Sequence, residues 1–560
     1  MGMRTLEGTG RLFDVWRIPD RFTKNPDIIH FPTGRLMLVF CDCDKHWPEQ
    51  SSRITTLESA DGGATWGNPR VVAEARIDRG EERWLTPRLS RLRGGRLVIV
   101  CDHDDYNYYH VDRPSGVWIW FSDDEGATWS EPRHTTIPGI EPDRVVELAD
   151  GALITTTEVV PRDNWRLAVM ASRSRDGGLT WDPPSVVAKD PGHDYNEGAV
   201  VVLSSGALAC VMREENHNGY PSCVAFSYDL GRTWSGVRPL PFSGDRPYAR
   251  ELRDGRVLVT YRNQAGNRGT HAWAGDLADT AYQVAGVHYG DEVCLVGGAL
   301  HIANRPRGVT RYLLQPPENL RSDFLLEARL RVDGPPGVPL ATLHVSRVSF
   351  CVFVLRDAIW CDFRRRPASS ANPGFHGSTT GPRVDAAHPV DMTEYHTVRV
   401  QATAGRMWVS VDGQEVIHGV VTREWPLEET WFGREPEGGG EVWFRHVNYH
   451  IRNEHEAEYV WHWDARRGRL PDQYQLDNML EISANPPADP VAYSDGRHGE
   501  ISSGVPDNGY SSWVELPDGS IYFVDYTNHG DPAPFGHLYG AVLTPDDFGP
   551  RRRGSGEDGS

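Results

Sequence analysis

Long hydrophobic runs are absent from the 560-residue sequence. No stretch approaches the roughly 20 apolar residues that a membrane-spanning helix needs. Residues 1–16 also lack the apolar segment that is typical of a secretory leader. These absences predict a protein that has no membrane partner and is cytoplasmic or otherwise soluble.

Positive charge is also scarce. The chain has 58 Lys and Arg residues against 78 Asp and Glu residues, which gives a formal net charge of -20 at pH 7. Proteins that bind nucleic acid neutralise phosphates with clustered Lys and Arg side chains. The charge balance therefore argues against nucleic acid as a partner.

Recognisable cofactor and metal motifs are missing as well. The eight cysteines are scattered without the paired spacing of a metal site, so we expect buried free thiols. The acidic residues 102–105 are interpreted as a solvated turn rather than a cation site. Neither a glycine-rich phosphate loop nor a serine nucleophile elbow occurs in the sequence. The sequence therefore predicts no metal and no cofactor.

What the sequence does contain is one short motif in four copies, Ser-x-Asp-x-Gly-x-Thr-Trp. The copies are residues 59–66, 122–129, 174–181 and 227–234. Asp and Gly suit a tight turn, and Thr and Trp open the next strand, so each copy predicts a strand-turn-strand hairpin. The copies begin roughly 50 to 60 residues apart, which is close to the length of a four-stranded propeller blade.

A second repeat predicts the number of blades. An apolar run, a Gly turn and another apolar run occur together six times. The turns are at Gly34, Gly94 with Gly95, Gly151, Gly206, Gly255 and Gly519. Residues 12–18 are a candidate strand that pairs with the last blade and closes the ring. The pattern predicts an all-β protein built on a six-bladed propeller.

The repeat is interrupted between its fifth and sixth copies by long alternating runs, which are typical of a β-sandwich of hairpins. We therefore expect a jelly-roll sandwich inserted between blades five and six. The predicted regions are blades one to five in residues 11–285, the sandwich in residues 286–460, the last blade and ring closure in residues 461–548, and a disordered tail in residues 549–560.

The blade openings predict the place of a pocket, because the innermost strand of every blade starts at the central funnel. The residues just before these strands are Lys24, Asn25, Thr86, Glu141, Asn196, Glu197, Asp245, Arg246, Asn508 and Tyr510. The loops that follow add Asp44, Glu49, Asp102, His103, Arg213, Arg262 and Arg268. Such a density of carboxylates and arginines at one funnel indicates a functional site.

The four repeated motifs resemble the Asp-boxes, or BNR repeats, of the sialidase superfamily. In that family the box lies on the blade rim and locks a turn, so this part of the resemblance implies a fold and not a chemistry. The interrupting segment looks like a concanavalin-like module of the laminin-G type.

At the funnel, individual residues of this chain also resemble the catalytic residues of the family. The family's nucleophile is a tyrosine that opens the last blade in a context like Gly-Tyr-Ser-Ser, and its base is a glutamate that opens an earlier blade. The matching residues here are Tyr510 and Glu197. A phenol with a pKa of about 10 attacks weakly while it is neutral, so a nearby carboxylate must take its proton.

The family also holds a substrate carboxylate with three arginines, since a guanidinium binds a carboxylate through two bonds. The resemblance places Arg213 and Arg268 at two of these positions. The third arginine opens the first blade in the family, but this chain has Asn25 there, after Lys24. We expect the clamp to be rebuilt with Lys24, Arg246 or Arg17.

The proton donor of the family is an aspartate in the loop before the first box. This chain offers Asp42, Asp44 and Glu49 in that loop, and we predict that Glu49 or Asp44 protonates the leaving oxygen. Glu141 and His103 complete the predicted contacts with substrate.

Together these expectations predict a sialidase-like exo-glycoside hydrolase with a retaining mechanism. It would remove a terminal sugar from a glycan or oligosaccharide, and an acidic sugar is favoured because Arg213, Arg246 and Arg268 offer positive charge. Two alternatives stay open at this point. One is a lyase that acts on uronic acids through Tyr510 or His103, and the other is a non-catalytic glycan-binding propeller.

Overall fold

The computed structural model describes most of the chain. The described residues are 4–6, 8–104, 116–162, 166–190, 193–215, 221–263, 269–278, 284–289, 291–303, 308–315, 322–345, 350–362, 386–403, 406–420, 430–434, 439–452, 458–484, 507–528 and 536–549. Every helix within these ranges is too short or too polar to span a bilayer. Of the predicted tail, only Gly549 falls among them.

Six antiparallel sheets form the blades of a propeller, as the repeats predict. Each of the first four blades is built from consecutive strands. Blade one contains Phe22–His30, Leu36–Cys43, Ser51–Ser59 and Gly67–Arg76, and blade two contains Arg83–Trp84, Arg88–Arg91, Leu97–Asp104, Val117–Ser122 and Arg133–His134. Blade three contains Val146–Glu147, Leu153–Val159, Ala168–Ser174 and Ser185–Ala188, and blade four contains Tyr195–Val202, Leu208–Glu214, Cys223–Ser227 and Arg238–Pro239.

Blades five and six combine segments that are distant in sequence. Blade five contains Gly244–Glu251, Val257–Asn263, Gly269–Gly275 and Met479–Ala484, with Arg4–Thr5 parallel at its edge. Blade six contains Ser512–Glu515, Ile521–Thr527, His537–Leu543 and Leu12–Trp16. The pairing of Leu12 with Ala541 confirms the predicted closure, in which an N-terminal strand covers the edge of the last blade.

Two further sheets are formed by the stretch of sequence that separates the third and fourth strands of blade five. In spatial order one sheet contains Ala285–Tyr289, Val309–Leu314, Thr430–Arg434, Ala341–Val345, Phe350–Val354, Ala358–Asp362 and Ala386–Pro389. The other contains Glu292–Val296, Ala299–Ala303, Glu441–Arg452, Asp323–Asp333, His396–Thr403, Arg406–Val411 and Gln414–Val420, and Tyr459–Asp464 also pairs with Glu441–Arg452. The described helices are Gln473–Asn478 and the 3-10 turns Ile77–Arg79, Ala465–Arg467 and Pro545–Asp547.

The position of these two sheets corrects one expectation. The sequence repeats predicted an insertion after blade five, whereas the chain leaves that blade after Gly269–Gly275 and returns as its fourth strand, Met479–Ala484. Apolar residues of both inserted sheets, such as Leu326 and Phe432, share one hydrophobic cluster. That shared core supports our proposal that the insertion is a concanavalin-like sandwich, which stays a prediction.

The repeated motif forms the same turn in all four copies, and the first copy illustrates it. The Ser59 hydroxyl donates to Asp61 over 2.8 Å and accepts the N–H of Gly63 at 2.8 Å. Both the N–H and the hydroxyl of Thr65 donate to the Asp61 carboxylate, over 2.9 and 2.6 Å. These bonds, led by that of the Thr65 hydroxyl, lower the pKa of Asp61 to about 2. The carboxylate therefore locks a turn, which is the structural role expected for it.

The motif also joins each of the four blades that carry it to the blade before, and the first copy again illustrates the contact. Gly63 has φ of +94°, and a Cβ atom there would lie 2.1 Å from the ring of Tyr522 in blade six. The Trp66 indole donates to the Tyr522 hydroxyl over 3.0 Å. Only glycine fits this close approach, so the box fixes the packing between neighbouring blades.

Candidate active site

Four blades open with a residue in the left-handed region of φ. These residues are Asn25 (φ 54°), Glu141 (φ 52°), Glu197 (φ 49°) and Arg246 (φ 46°). In blades one, four and five the strand register shifts at this residue, as at a β-bulge. Side chains other than glycine rarely adopt such a backbone, and strain of this kind clusters at functional sites. The predicted funnel residues therefore occupy equivalent, strained positions.

Tyr510 and Glu197 meet at the centre of this ring. The Tyr510 hydroxyl donates a hydrogen bond of 2.9 Å to Glu197 Oε1, although the two residues are 313 positions apart in the sequence. The other oxygen, Oε2, accepts the backbone N–H of Arg246 at 2.7 Å. The carboxylate is thus held by the next blade while it faces the phenol.

The electrostatic environment assigns the proton to the phenol. Burial and the carboxylates of Glu197 and Glu141 raise the pKa of Tyr510 well above its ordinary value. Burial opposes ionisation of Glu197 too, but Arg213, Arg246 and the bonds from the Arg246 N–H and the Tyr510 hydroxyl leave its pKa below the ordinary value. An ionised acceptor therefore faces a neutral donor at rest.

Three arginines surround this pair. Arg213 Nη1 lies 3.2 Å from Glu197 Oε1. The guanidinium carbons of Arg246 and Arg262 lie 5.4 and 5.1 Å from the centre of the Tyr510 ring. The predicted residues Arg213 and Arg246 are thus at the funnel, where their charge favours an ionised phenol as well as an ionised carboxylate.

Arg262 was expected among the loop residues of the funnel, but the sequence offered no reason to assign it a role. It pairs across the strands with Asp245, as Arg213 does with Asn196, so the two arginines are in the same register of consecutive blades. This register was readable from the two blade repeats. The predicted arginine, Arg268, lies outside the described residues.

Glu141 opens blade three beside Arg246. Its Oε2 lies 2.6 Å from Arg246 Nη1. Burial raises the pKa of Glu141 to about 7 against the attraction of Arg246, and the nearby Asp102 and Glu197 carboxylates add to the rise. Glu141 is therefore a half-buried carboxyl group whose raised pKa favours its protonated form more than that of an ordinary glutamate.

The two predicted proton donors, Asp44 and Glu49, have other partners. The Asp44 carboxylate accepts backbone N–H groups of the loop, among them that of Ser51 at 3.0 Å. Burial works against ionisation, but these bonds leave the pKa of Asp44 below its ordinary value, which does not suit an acid. Glu49 is exposed and forms an ion pair with Lys45. Neither side chain is held as a protonated donor would be.

The first blade lacks an arginine at its opening. The Asn25 amide donates to the carbonyl of Leu85 over 3.1 Å, and the Lys24 ammonium donates to the carbonyl of His46 over 2.7 Å. Arg17, the third candidate for a rebuilt clamp, lies 3.1 Å from His537 at the closing strand. Asn25 and Lys24 are buried at the funnel, and both are engaged by backbone carbonyls.

Blade two contributes Asp102 and His103. Asp102 is fully buried and accepts the N–H of Thr86 at 2.9 Å, so its predicted place in a solvated turn is wrong. His103 pairs with Glu82 at 3.1 Å, and burial lowers the pKa of its imidazole to about 4. His103 is therefore neutral near pH 7 and is oriented by Glu82.

The N-terminal third of the chain matches a known protein family. Residues 14–194 match the family model described as a BNR repeat-like domain. That range contains the first three boxes and the openings of the first three blades.

Individual proteins are also similar to this chain. A sialidase of Paraclostridium sordellii is 26% identical over 230 residues, which are 36% of this chain and 55% of that protein. A sialidase of Clostridium perfringens is 25% identical over 256 residues, 40% of this chain and 63% of that protein. The chain therefore spans little more than half the length of these curated relatives. Among solved structures, Trypanosoma rangeli sialidase is 12% identical with a TM-score of 0.37, covering 81% of this chain and 93% of that one.

Proposed function

Because the chain belongs to the sialidase superfamily, we propose that its funnel is the active site of an exo-acting glycoside hydrolase with a tyrosine nucleophile. The hydrogen bond of 2.9 Å between the Tyr510 hydroxyl and Glu197 carries this proposal. Sialidases that use a tyrosine nucleophile differ from most glycoside hydrolases, which use two catalytic carboxyl groups.

In the first step the Tyr510 oxygen attacks the anomeric carbon of the terminal sugar. Its proton passes to Glu197 Oε1 as the new bond forms, so the phenol never has to ionise fully against its raised pKa. Arg246 and Arg262, which both lie close to the ring, stabilise the negative charge that develops on the oxygen.

The leaving oxygen must receive a proton in the same step. We assign this role to Glu141 rather than to Asp44 or Glu49, because its pKa is raised to about 7 by burial and by neighbouring carboxylates. In the second step Glu141 takes a proton from water, the water oxygen replaces Tyr510 on the sugar, and Glu197 returns the proton to the phenol. Two displacements at the same carbon retain its configuration.

The experiment that tests the proposal is to incubate the protein with a panel of aryl glycosides and follow the product anomers by NMR. A product that first appears with the anomeric configuration of the substrate supports the mechanism. Inversion would exclude Tyr510 as the nucleophile. An unsaturated product that absorbs in the ultraviolet would instead identify a lyase, and binding without turnover of any member would identify a glycan-binding propeller.

A further inference from the structure

The arginines of the funnel are already paired with the protein's own carboxylates. Arg213 contacts three of them, Glu197 at 3.2 Å, Asp245 at 2.7 Å and Glu215 at 3.4 Å. Arg246 lies 2.6 Å from Glu141, and Arg262 lies 3.0 Å from Asp507. The guanidinium groups of Arg213 and Arg246, which were expected to bind a substrate carboxylate, are thus occupied, and so is that of Arg262.

The individual N–H groups show how fully these arginines are used. On Arg213, Nε faces Asp245 and both Nη atoms face glutamates. On Arg262, Nε donates to the carbonyl of Asn508 over 2.5 Å, and Nη2 contacts Asp507 and the Tyr526 hydroxyl. A substrate carboxylate needs two parallel N–H groups of one guanidinium, and on Arg213 or Arg262 it would have to displace an acceptor that already holds them.

The charge of the pocket points the same way. Among the described residues, which do not include Arg268, four cationic side chains are found at the funnel, namely Lys24, Arg213, Arg246 and Arg262. Five carboxyl groups accompany them, namely Glu141, Glu197, Glu215, Asp245 and Asp507. The opening of blade one adds the neutral amide of Asn25, whose N–H groups face the carbonyl of Leu85. No excess of positive charge is available among these groups for an anionic sugar.

From these pairs we propose that the terminal sugar which the hydrolase removes is uncharged. This inference rests on the proposed function and replaces the acidic sugar expected from the sequence. A guanidinium beside a carboxylate presents a donor next to an acceptor, and a sugar hydroxyl needs both. The Arg213–Asp245 and Arg246–Glu141 pairs would bind hydroxyl groups of such a sugar.

Matched pairs of aryl glycosides test the proposal. Glucosides are compared with glucuronides and galactosides with galacturonides, in both anomers, because the members of a pair differ only in a hydroxymethyl or carboxylate group. We expect kcat/KM to be higher for the neutral member by about 100-fold or more, as for a site that leaves a carboxylate unpaired. A uronide or a sialoside that is hydrolysed as fast as the best neutral glycoside would overturn the inference.

The variant Asp245→Asn adds a second test, because it removes one of the carboxylates that occupy Arg213. We expect the preference for the neutral member to fall by about tenfold or more as Arg213 becomes able to bind an anion. Asp254→Asn is the matched control, since it removes an Asp–Arg pair of the same blade, with Arg256. A preference that changes equally in both variants would contradict the role of Asp245.

Binding separates this inference from the proposed hydrolysis. Methyl glycosides and methyl uronides are tested by saturation-transfer NMR with the wild-type protein and with Tyr510→Phe. Binding of only the neutral ligands supports the inference even if no substrate is turned over. Binding of the uronides, or of neither kind, overturns it whatever the result of the hydrolysis assay.

Discussion

Carboxylates do opposite work in two regions of this molecule, the Asp-box turns and the funnel. In the boxes Asp61, Asp124 and Asp176 are exposed, and their pKa values are lowered to about 2 by bonds from residues of the same turn. In the funnel Glu197 is buried and Glu141 is half-buried. Desolvation raises the pKa of Glu141 to about 7, whereas arginines and hydrogen bonds from other blades leave the pKa of Glu197 below its ordinary value. A carboxylate whose partners are close in sequence therefore fixes a turn, whereas the pKa of one whose partners are distant in sequence is set by the packing of several blades.

The largest effect expected from this comparison is that of Tyr510→Phe. Removal of the nucleophilic oxygen should lower kcat by on the order of 10³-fold to 10⁶-fold, because the phenol forms the bond to the sugar. Tyr522→Phe is the control from the box region, where the hydroxyl contacts Gly63 and Trp66, and its kcat should change little. Equal activity of the two variants would remove the distinction between the regions.

Glu197→Gln should have the next largest effect. An amide cannot take the proton of Tyr510, so kcat/KM should fall by about 10²-fold to 10⁴-fold. The control is Glu515→Gln on the rim of blade six, where the carboxylate pairs with the exposed Arg253. A Glu197→Gln variant that is as active as this control would show that the phenol does not need the carboxylate.

Glu141→Gln sharpens the contrast in proton affinity. The wild-type kcat/KM should fall as the pH rises through about 7, because Glu141 then loses the proton that the leaving oxygen needs. At low pH the rate should hold until Glu197 protonates, which happens below the ordinary pKa of a glutamate. The variant should lose this alkaline decline, and its rate should recover with a leaving group that departs without a proton, such as dinitrophenol. If kcat/KM of the variant still declined at alkaline pH, a residue other than Glu141 would be the general acid.

The smallest effect on activity is expected at the boxes. Asp176→Asn should lower the midpoint of thermal unfolding at pH 7 and leave kcat/KM unchanged, because Asp176 holds Ser174 and Thr180 in a turn. Because the folded pKa of about 2 is below the ordinary 3.8, this stabilisation is present above pH 4 and is lost as the pH falls toward 2.

The difference in stability between Asp176→Asn and the wild type should therefore shrink over that pH range. Asp182→Asn, which breaks an exposed pair with Arg175, is the control and should change stability little at any pH. An Asp176→Asn protein with normal stability and reduced turnover would contradict the structural role of the box.

The two regions also differ in how well the sequence predicts them. Every partner of a box carboxylate lies within four residues, so the motif alone predicts the turn. The residues that open the blades were predictable too, because the repeated apolar runs show where the innermost strand of each blade begins. The pairing of Tyr510 with Glu197 came from the family resemblance, and it joins residues 313 positions apart.

Other features escaped prediction for physical reasons. The proton affinity of Glu141 depends on Arg246 and on carboxylates from other blades, which no local pattern reveals. The pairing of Arg213 with Asp245 depends on which side chains two neighbouring blades direct toward each other. The sequence predicted the insertion after blade five rather than within it. The fourth strand of that blade, Met479–Ala484, follows the two inserted sheets and does not carry the repeated pattern of apolar runs around a Gly turn.

The most direct test of the central claim is to trap the glycosyl-enzyme intermediate with a fluorinated glycosyl fluoride of a neutral sugar and to locate the adduct by peptide mass spectrometry. We expect one added glycosyl group on Tyr510 and none on the Tyr510→Phe protein. An adduct on a carboxylate, or equal labelling of both proteins, would contradict it.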